Sequence, residues 1–244
     1  MKIIAIIPCR LKSQRLKNKL LKKINDKPLF LYTYLQTKKC KMIDECYVAT
    51  DSKLIIEECI KYGIKYFKTS HKHKTGTDRI AECSKKVKAD IYVNVQGDEP
   101  LISASSISRV VKELINNKKY FASTAFSKIK NKSEIKNKNV VKIIFNRSKE
   151  IIYLSRSPIP HNNKVNKYSF YFKHLGLYAF RKEALNIFNN FNMSNLEISE
   201  SIELLRLIEN GINVRVVNVL DHIKSVDTAS DFKFIKKLIL KNAI

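Results

Sequence analysis

Residues 90 to 100 read Asp90-Ile91-Tyr92-Val93-Asn94-Val95-Gln96-Gly97-Asp98-Glu99-Pro100. An apolar, β-branched run leads into a glycine, and the glycine delivers a carboxylate, Asp98, before a proline ends the pattern. Such a run predicts a strand over residues 90–95. Asp98 then falls just past the strand's carboxyl end, the edge at which parallel α/β sheets bind ligands. One carboxylate plus phosphate oxygens is the usual way to hold magnesium.

Upstream, the same kind of run predicts strands at residues 2–8, 45–50 and 64–69, separated by helical patterns at 28–41, 52–62 and 77–88. This βαβαβαβ alternation predicts a mostly parallel sheet with right-handed crossovers. Its first four strands read as buried on both faces. Downstream the pattern loosens. A helix is predicted at 103–117, a strand at 120–126 and a lysine-rich polar connection at 128–139. A hairpin at 140–145 and 151–154, a proline- and asparagine-bearing loop at 157–168 and a strand at 172–180 follow. One helix over 196–210 closes on Gly211, and a strand at 213–219 precedes a last helix from Thr228.

The 244 residues suit one α/β domain with an appended subdomain. With 44% hydrophobic and 28% charged residues, a folded globular chain is expected. No apolar run approaches the roughly 20 residues that span a bilayer. The apolar start is too short for a secretory signal, so a cytoplasmic protein is expected. Five cysteines without CxxC spacing argue against a disulfide framework or a zinc site. The net charge of +25 is spread along the chain, and no helix-turn-helix, zinc-finger or RRM signature accompanies it. It suits an anionic small substrate better than a nucleic-acid partner.

Four loops fall at the predicted carboxyl edge. The first holds Arg10, Lys12, Arg15, Lys17 and Lys19 without a glycine. It can wrap a triphosphate with backbone N–H groups and cations, though composition alone favours a solvated basic loop. After the second strand, Asp51 reads as the N-cap of the next helix or as a ribose contact, with the cap favoured. The third loop, His71 to Arg79, contains Thr75-Gly76-Thr77, which can turn sharply; its two histidines read as surface residues. Near the end, Asp227 follows a strand and opens a helix, either as a cap or as a second metal carboxylate.

Taken in order, these segments resemble the 3-deoxy-manno-octulosonate (Kdo) cytidylyltransferase family, also called CMP-Kdo synthetases. The carriers are Ile7-Pro8-Cys9-Arg10 with Arg15-Leu16 and Lys19, Ala49-Thr50-Asp51, Thr75 to Arg79, and Asn94 to Pro100. Ser155 to Pro160, His174 to Tyr178, Glu200 to Arg206 and Val226-Asp227-Thr228 complete the set. The resemblance implies a Rossmann-like α/β nucleotidyltransferase fold with a mixed, mostly parallel sheet. It implies a single domain over residues 1–244, with 1–119 and 181–244 as nucleotide-binding core. Residues 120–180 would form a smaller α+β subdomain on the sugar side that supplies a homodimer interface.

The implied reaction is attack by the sugar's anomeric hydroxyl on the α-phosphorus of CTP, with pyrophosphate leaving. Arg10, Lys19, Asp98 and Asp227 are the implied catalytic residues, with Asp98 and Asp227 as ligands of Mg2+. Pro8, Cys9, Arg10, Arg15, Lys19, Ser70, Thr75, Gly76 and Arg79 are the implied CTP contacts. Gln96, Arg156, His174, Tyr178, Glu200 and Glu203 are the implied sugar contacts. Arg156 is the expected partner of the sugar carboxylate, with bracing of its own loop as the alternative.

Departures from the family pattern occur at Asn18, Leu204, Ser225 and Ala229. Asn18 stands where the relatives carry glycine, and Asn tolerates the left-handed region. Leu204 replaces an amide, so a sugar contact is expected to change there. The alternatives are a cytidylyltransferase for a sialic acid or an amino-Kdo, and a basic RNA-binding protein without catalysis.

Overall fold

The computed structural model describes residues 1–11, 15–161, 171–220 and 225–241. Lys12 of the basic loop and most of the predicted loop at 157–168 lie outside the described residues. Strand β1 (Ile3–Cys9) is buried along its whole length. It pairs in parallel with β4 (Glu45–Thr50) on one side and β6 (Ile91–Val95) on the other. Outside β4 lies β5 (Tyr66–Lys68), also parallel. Helices α1 (Leu29–Lys38), α2 (Lys53–Lys61) and α3 (Gly76–Lys86) make the connections. After β5 the chain returns to the far side of β1 to form β6, so strand order reverses between β1 and β6. Connections then leave in opposite directions, and a crevice opens at the carboxyl ends of these two strands.

Beyond β6 the sheet continues through one antiparallel strand, β10 (Phe172–Phe180), to β7 (Ala122–Lys128) and β11 (Val214–Asn218). The hairpin β8 (Lys142–Phe145) and β9 (Ile151–Ser155) hangs from β10. Among the described residues the sheet has nine strands, mixed and mostly parallel around β1, as expected. Residues 120–180 contribute four of those strands, so this region shares the sheet of the core.

Alternate residues of β1 face opposite layers. Ile3, Ala5 and Ile7 join one core cluster with α4 (Ala104–Asn116), whereas Ile4 and Ile6 join the other with α3 and α6 (Lys182–Asn190). Both faces are thus covered, which is why β1 and β6 read as nearly continuous apolar runs, with Asn94 the polar exception in β6. The third strand departs from that expectation: β5 is a three-residue edge, with Tyr66 37% exposed.

Other elements differ from the sequence pattern. The helix expected over 196–210 is two helices, α7 (Asn195–Glu200) and α8 (Leu205–Glu209). Ser201 ends α7 at φ 52°, a left-handed residue that no helix can continue. Gly211 sits at φ 74° after α8, as expected of its capping position. Helix α6 was not foreseen; Ala184, Leu185 and Phe188 give it a narrow buried stripe amid asparagines. A short helix α5 (Lys132–Lys136) interrupts the lysine-rich connection, anchored by buried Ile135. A 3-10 turn over Lys19–Leu21 and the two-residue ribbon β2 (Lys23–Ile24) and β3 (Lys27–Pro28) follow the basic loop. Helix α9 (Ala229–Lys241) packs Ile235 and Ile239 against Ile24, Leu29 and Val226. Asp51 is not the cap of α2. Ser52 occupies that position, and Asp51 pairs with Arg79 at 3.1 Å.

Candidate active site

Gly97 lets the β6 exit pass close to the end of β1. A Cβ there would lie 2.9 Å from Cys9 Sγ and 3.3 Å from the Pro8 carbonyl oxygen. Thr33 Oγ1 on α1 donates to the Gly97 carbonyl at 3.0 Å and fixes the turn. Asp98 follows directly. The segment before α9 reaches it through the backbone, Val226 N–H donating to the Asp98 carbonyl at 2.9 Å. That bond brings together two carboxylates far apart in sequence.

A single ammonium spans them. Lys19 Nζ contacts Asp98 Oδ2 and lies 3.2 Å from Asp227 Oδ1. Burial alone would lower the Lys19 pKa, but Asp98 and then Asp227 outweigh it and hold it raised. Two hard oxygen donors within reach of one cation suit a magnesium ion whose other positions go to phosphate and water. Arg15 reaches the same place, donating to Asp227 Oδ1 at 2.9 Å and to Asn139 Oδ1 at 2.8 Å. Asn18 makes the turn that presents Lys19, at φ 51° and ψ 35°, as its residue type predicts.

Two cavities meet here. The smaller, about 430 Å3, is lined by Pro8, Arg10, Lys19, Thr75, Gly76 and Asp98 among others. Arg10 donates to the Lys74 carbonyl through Nη1, while its Nε and Nη2 have no hydrogen-bond partner. Burial, then the nearby Arg79, lowers its pKa from the ordinary guanidinium value. A half-desolvated guanidinium with spare donors favours an anion. Across the cavity α3 begins, its first turn closed by a capping box between Thr75 and Asp78. Glu203 accepts from the N–H groups of Gly76 at 2.9 Å and Thr77 at 3.0 Å. It ties the turn before α8 to the start of α3.

The larger cavity, about 920 Å3, is lined by Arg156, His174, Gly176 and Tyr178 together with Glu99 and Val140. Gln96, Asp98, Ser201, Ile202 and Glu203 line both cavities and form the partition between them. His174 and Tyr178 lie on β10 with ring centroids 5.5 Å apart. His174 Nε2 meets Thr124 Oγ1 at 3.0 Å, and burial pulls its pKa down to about 3. Burial, then Asp98 and Asp227, pushes Glu99 up to about 8, against the pull of Lys19.

Several expected site residues serve as supports. Arg156 donates from Nε to the Glu200 carbonyl at 2.6 Å, from Nη1 to Lys138 at 2.9 Å and from Nη2 to Ser201 at 3.2 Å. Its loop-bracing role is therefore present, with three of a guanidinium's five N–H donors drawn by carbonyls. Glu200 accepts from Ser155 Oγ at 2.6 Å and from Arg156 N–H at 2.7 Å, and it lines neither cavity. The two glutamates do not share a helix face, because the chain breaks between them; Glu200 looks to β9 and Glu203 to α3. Arg79 is fully buried beneath the site, holding Asp51 and Thr69. Cys9 is buried in the core, and Ser70 lines neither cavity; its N–H donates to Glu82 at 2.9 Å. Leu204 is buried in the core, so its departure from the family pattern is a matter of packing. Glu99 and Gly176 line the larger cavity without being among the expected site residues. Glu99 was legible as an acid beside Asp98 in the same turn, and Gly176 as a glycine inside the His174 to Tyr178 segment; Thr124, buried beneath His174, gave no local signal.

The sequence pattern of the family described as Cytidylyltransferase matches residues 4–223. A 3-deoxy-manno-octulosonate cytidylyltransferase of Chloroherpeton thalassium is 39% identical over 99% of both chains. One of Fusobacterium nucleatum is 37% identical, over 100% of this chain and 99% of its own. Among solved structures, a CMP:2-keto-3-deoxy-manno-octonic acid synthetase complexed with CTP superposes with a TM-score of 0.93. It is 33% identical and the match covers 99% of this chain and all of that one.

Proposed function

Since the chain belongs to the cytidylyltransferase family, we propose that it transfers CMP from CTP to the anomeric hydroxyl of Kdo, releasing pyrophosphate. The observation that carries this reading is the pair of cavities divided by Gln96, Asp98 and Glu203. A nucleotide in the smaller and a sugar in the larger would meet at Asp98, where the α-phosphorus belongs. The relatives named for this activity match over their full length, which supports the choice of substrates.

Asp98 and Asp227 would hold magnesium, which polarises the phosphate and lowers the pKa of the attacking hydroxyl when bound. Lys19 and Arg15, which now face those carboxylates, would neutralise the triphosphate. Arg10 would take the departing pyrophosphate, because charge grows there during the reaction. The tie from Glu203 to Gly76 and Thr77 fixes the turn against which the cytidine would lie. Arg156 would offer its further donors to the sugar carboxylate, and His174, neutral at working pH, would serve as a hydrogen-bond partner. No side-chain nucleophile is needed, because holding both substrates in line supplies most of the acceleration.

The five buried free cysteines suit a reducing compartment, so we place the reaction in the cytoplasm. A homodimer belongs to the same reading. The deciding assay is pyrophosphate release with CTP, Mg2+ and a panel of acidic sugars. Turnover of Kdo ahead of 8-amino-Kdo and sialic acid is expected. Faster turnover of another sugar replaces the substrate, and no turnover of any removes the proposal.

A further inference from the structure

Glu99 has a surrounding that the supports of the site do not explain. Its side chain is only 5% exposed, and its Oε2 has no hydrogen-bond partner. A buried carboxylate oxygen with nothing to accept from is costly, and folding alone gives no reason to keep it. The neighbouring Asp98 is held by Lys19 and lines both cavities, whereas Glu99 lines only the larger. The two consecutive acids therefore meet at the larger cavity, and only Asp98 also reaches the smaller.

Gly176 on β10 leaves room beside the other oxygen of this carboxyl group. A Cβ at that position would come within 3.2 Å of Glu99 Oε1 and 3.1 Å of Gln96 Cγ. The register of β10 against β7 shifts between Leu175 and Tyr178, and Thr124 Oγ1 supports the shifted backbone by donating to the Leu177 carbonyl at 2.9 Å. Sheet geometry is thus spent on leaving room in front of Glu99.

What can occupy that room is limited by the groups around it. The sugar's own carboxylate is drawn to Arg156 on the cavity wall. A sugar hydroxyl fits the remaining position, since it carries a hydrogen that the unpaired carboxyl oxygen accepts.

We propose that Glu99 is a sugar-recognition residue that accepts a hydroxyl hydrogen from the acidic sugar, with Gly176 as the residue that keeps it accessible. This rests on the larger cavity being the sugar site. Arg156 and Glu99 then set the direction of the sugar, carboxylate toward one and hydroxyls toward the other.

The test is steady-state kinetics of Glu99→Gln, Glu99→Ala and Gly176→Ala with Kdo and CTP, alongside CTP binding by calorimetry without sugar and thermal melting. Weakening this hydrogen bond, or leaving a buried sugar hydroxyl without its partner, predicts a sugar KM raised about tenfold in Glu99→Gln and up to about a hundredfold in Glu99→Ala. Gly176→Ala should raise it too. CTP binding should stay unchanged, and Glu99→Gln should melt no lower than the unsubstituted protein, because the amide keeps the size of the acid and the unpaired Oε2 contributes no hydrogen bond to the fold. A purely structural glutamate would instead lower the melting temperature and disturb both substrates. That result, or an unchanged sugar KM, overturns the assignment of Glu99 alone. Absence of turnover by the unsubstituted protein overturns both this proposal and the reading beneath it.

Discussion

Lys19 lies between two carboxylates that would otherwise repel each other, with side chains 15% and 19–25% exposed. Such a cluster is tuned for function and not for stability, because partly buried like charges cost folding free energy. Asp98→Asn and Asp227→Asn should therefore fold and lose turnover by about a hundredfold or more. Near-normal kcat at limiting Mg2+ in either variant removes that residue as a ligand. His174 gives a pH signature. Its folded pKa of about 3 lies below the ordinary unfolded value of about 6.5. The unfolded chain binds the extra proton in that interval, so stability should fall as pH drops from about 6.5 toward about 3, by at most ~1.4 kcal/mol per unit from this group. Denaturation curves across that range should be flatter for His174→Gln.

At the scale of elements, the break between α7 and α8 organises the partition between the cavities. Arg206 holds the break in place from below. It is 2% exposed and binds Glu197 on α7 through Nε at 2.6 Å and Nη2 at 2.8 Å, and Asp78 on α3 through Nη1 at 2.9 Å. Removing one partner of a buried ion network leaves uncompensated charge, so Arg206→Ala should cost about 3–5 kcal/mol in urea denaturation. A loss under about 1 kcal/mol would mean that the network is solvated and not structural. Ser201 makes the opposite case. At φ 52° it pays for a conformation that glycine adopts freely, so Ser201→Gly should stabilise by a few tenths to about 1 kcal/mol, whereas Ser201→Val should destabilise.

For the whole molecule the open question is the charge of +25. A nucleic-acid reader concentrates its cations on one face. Here a share of them is engaged locally: Lys2 and Lys65 with Glu45, Lys86 with Glu82, Lys173 with Glu134 and Arg215 with Glu113. RNA or DNA binding should be weak and disappear by physiological salt. Retention of either in a fluorescence assay at about 0.15 M salt would return the RNA-binding alternative.

The sequence by itself determined the parallel part of the sheet and the loops at its carboxyl edge. Strands β1, β4 and β6 are runs long and apolar enough to be read directly, and a strand's end is a local event, so Arg10, Gln96 and Asp98 fell at the sheet's carboxyl edge without coordinates. Asn18 was legible for the same reason, since a left-handed turn selects its own residue type. Only the tertiary structure decided the lining of the larger cavity. Whether Glu200 and Glu203 share a face depended on one residue's φ, and whether Arg156 grips a ligand or carbonyls depended on segments 18 to 45 residues away. The room before Glu99 depended on a bulge in β10 and a missing Cβ at Gly176, neither of which leaves a periodic trace. Periodicity reports what each segment buries; which polar groups remain unpaired is settled only when distant segments have chosen their partners.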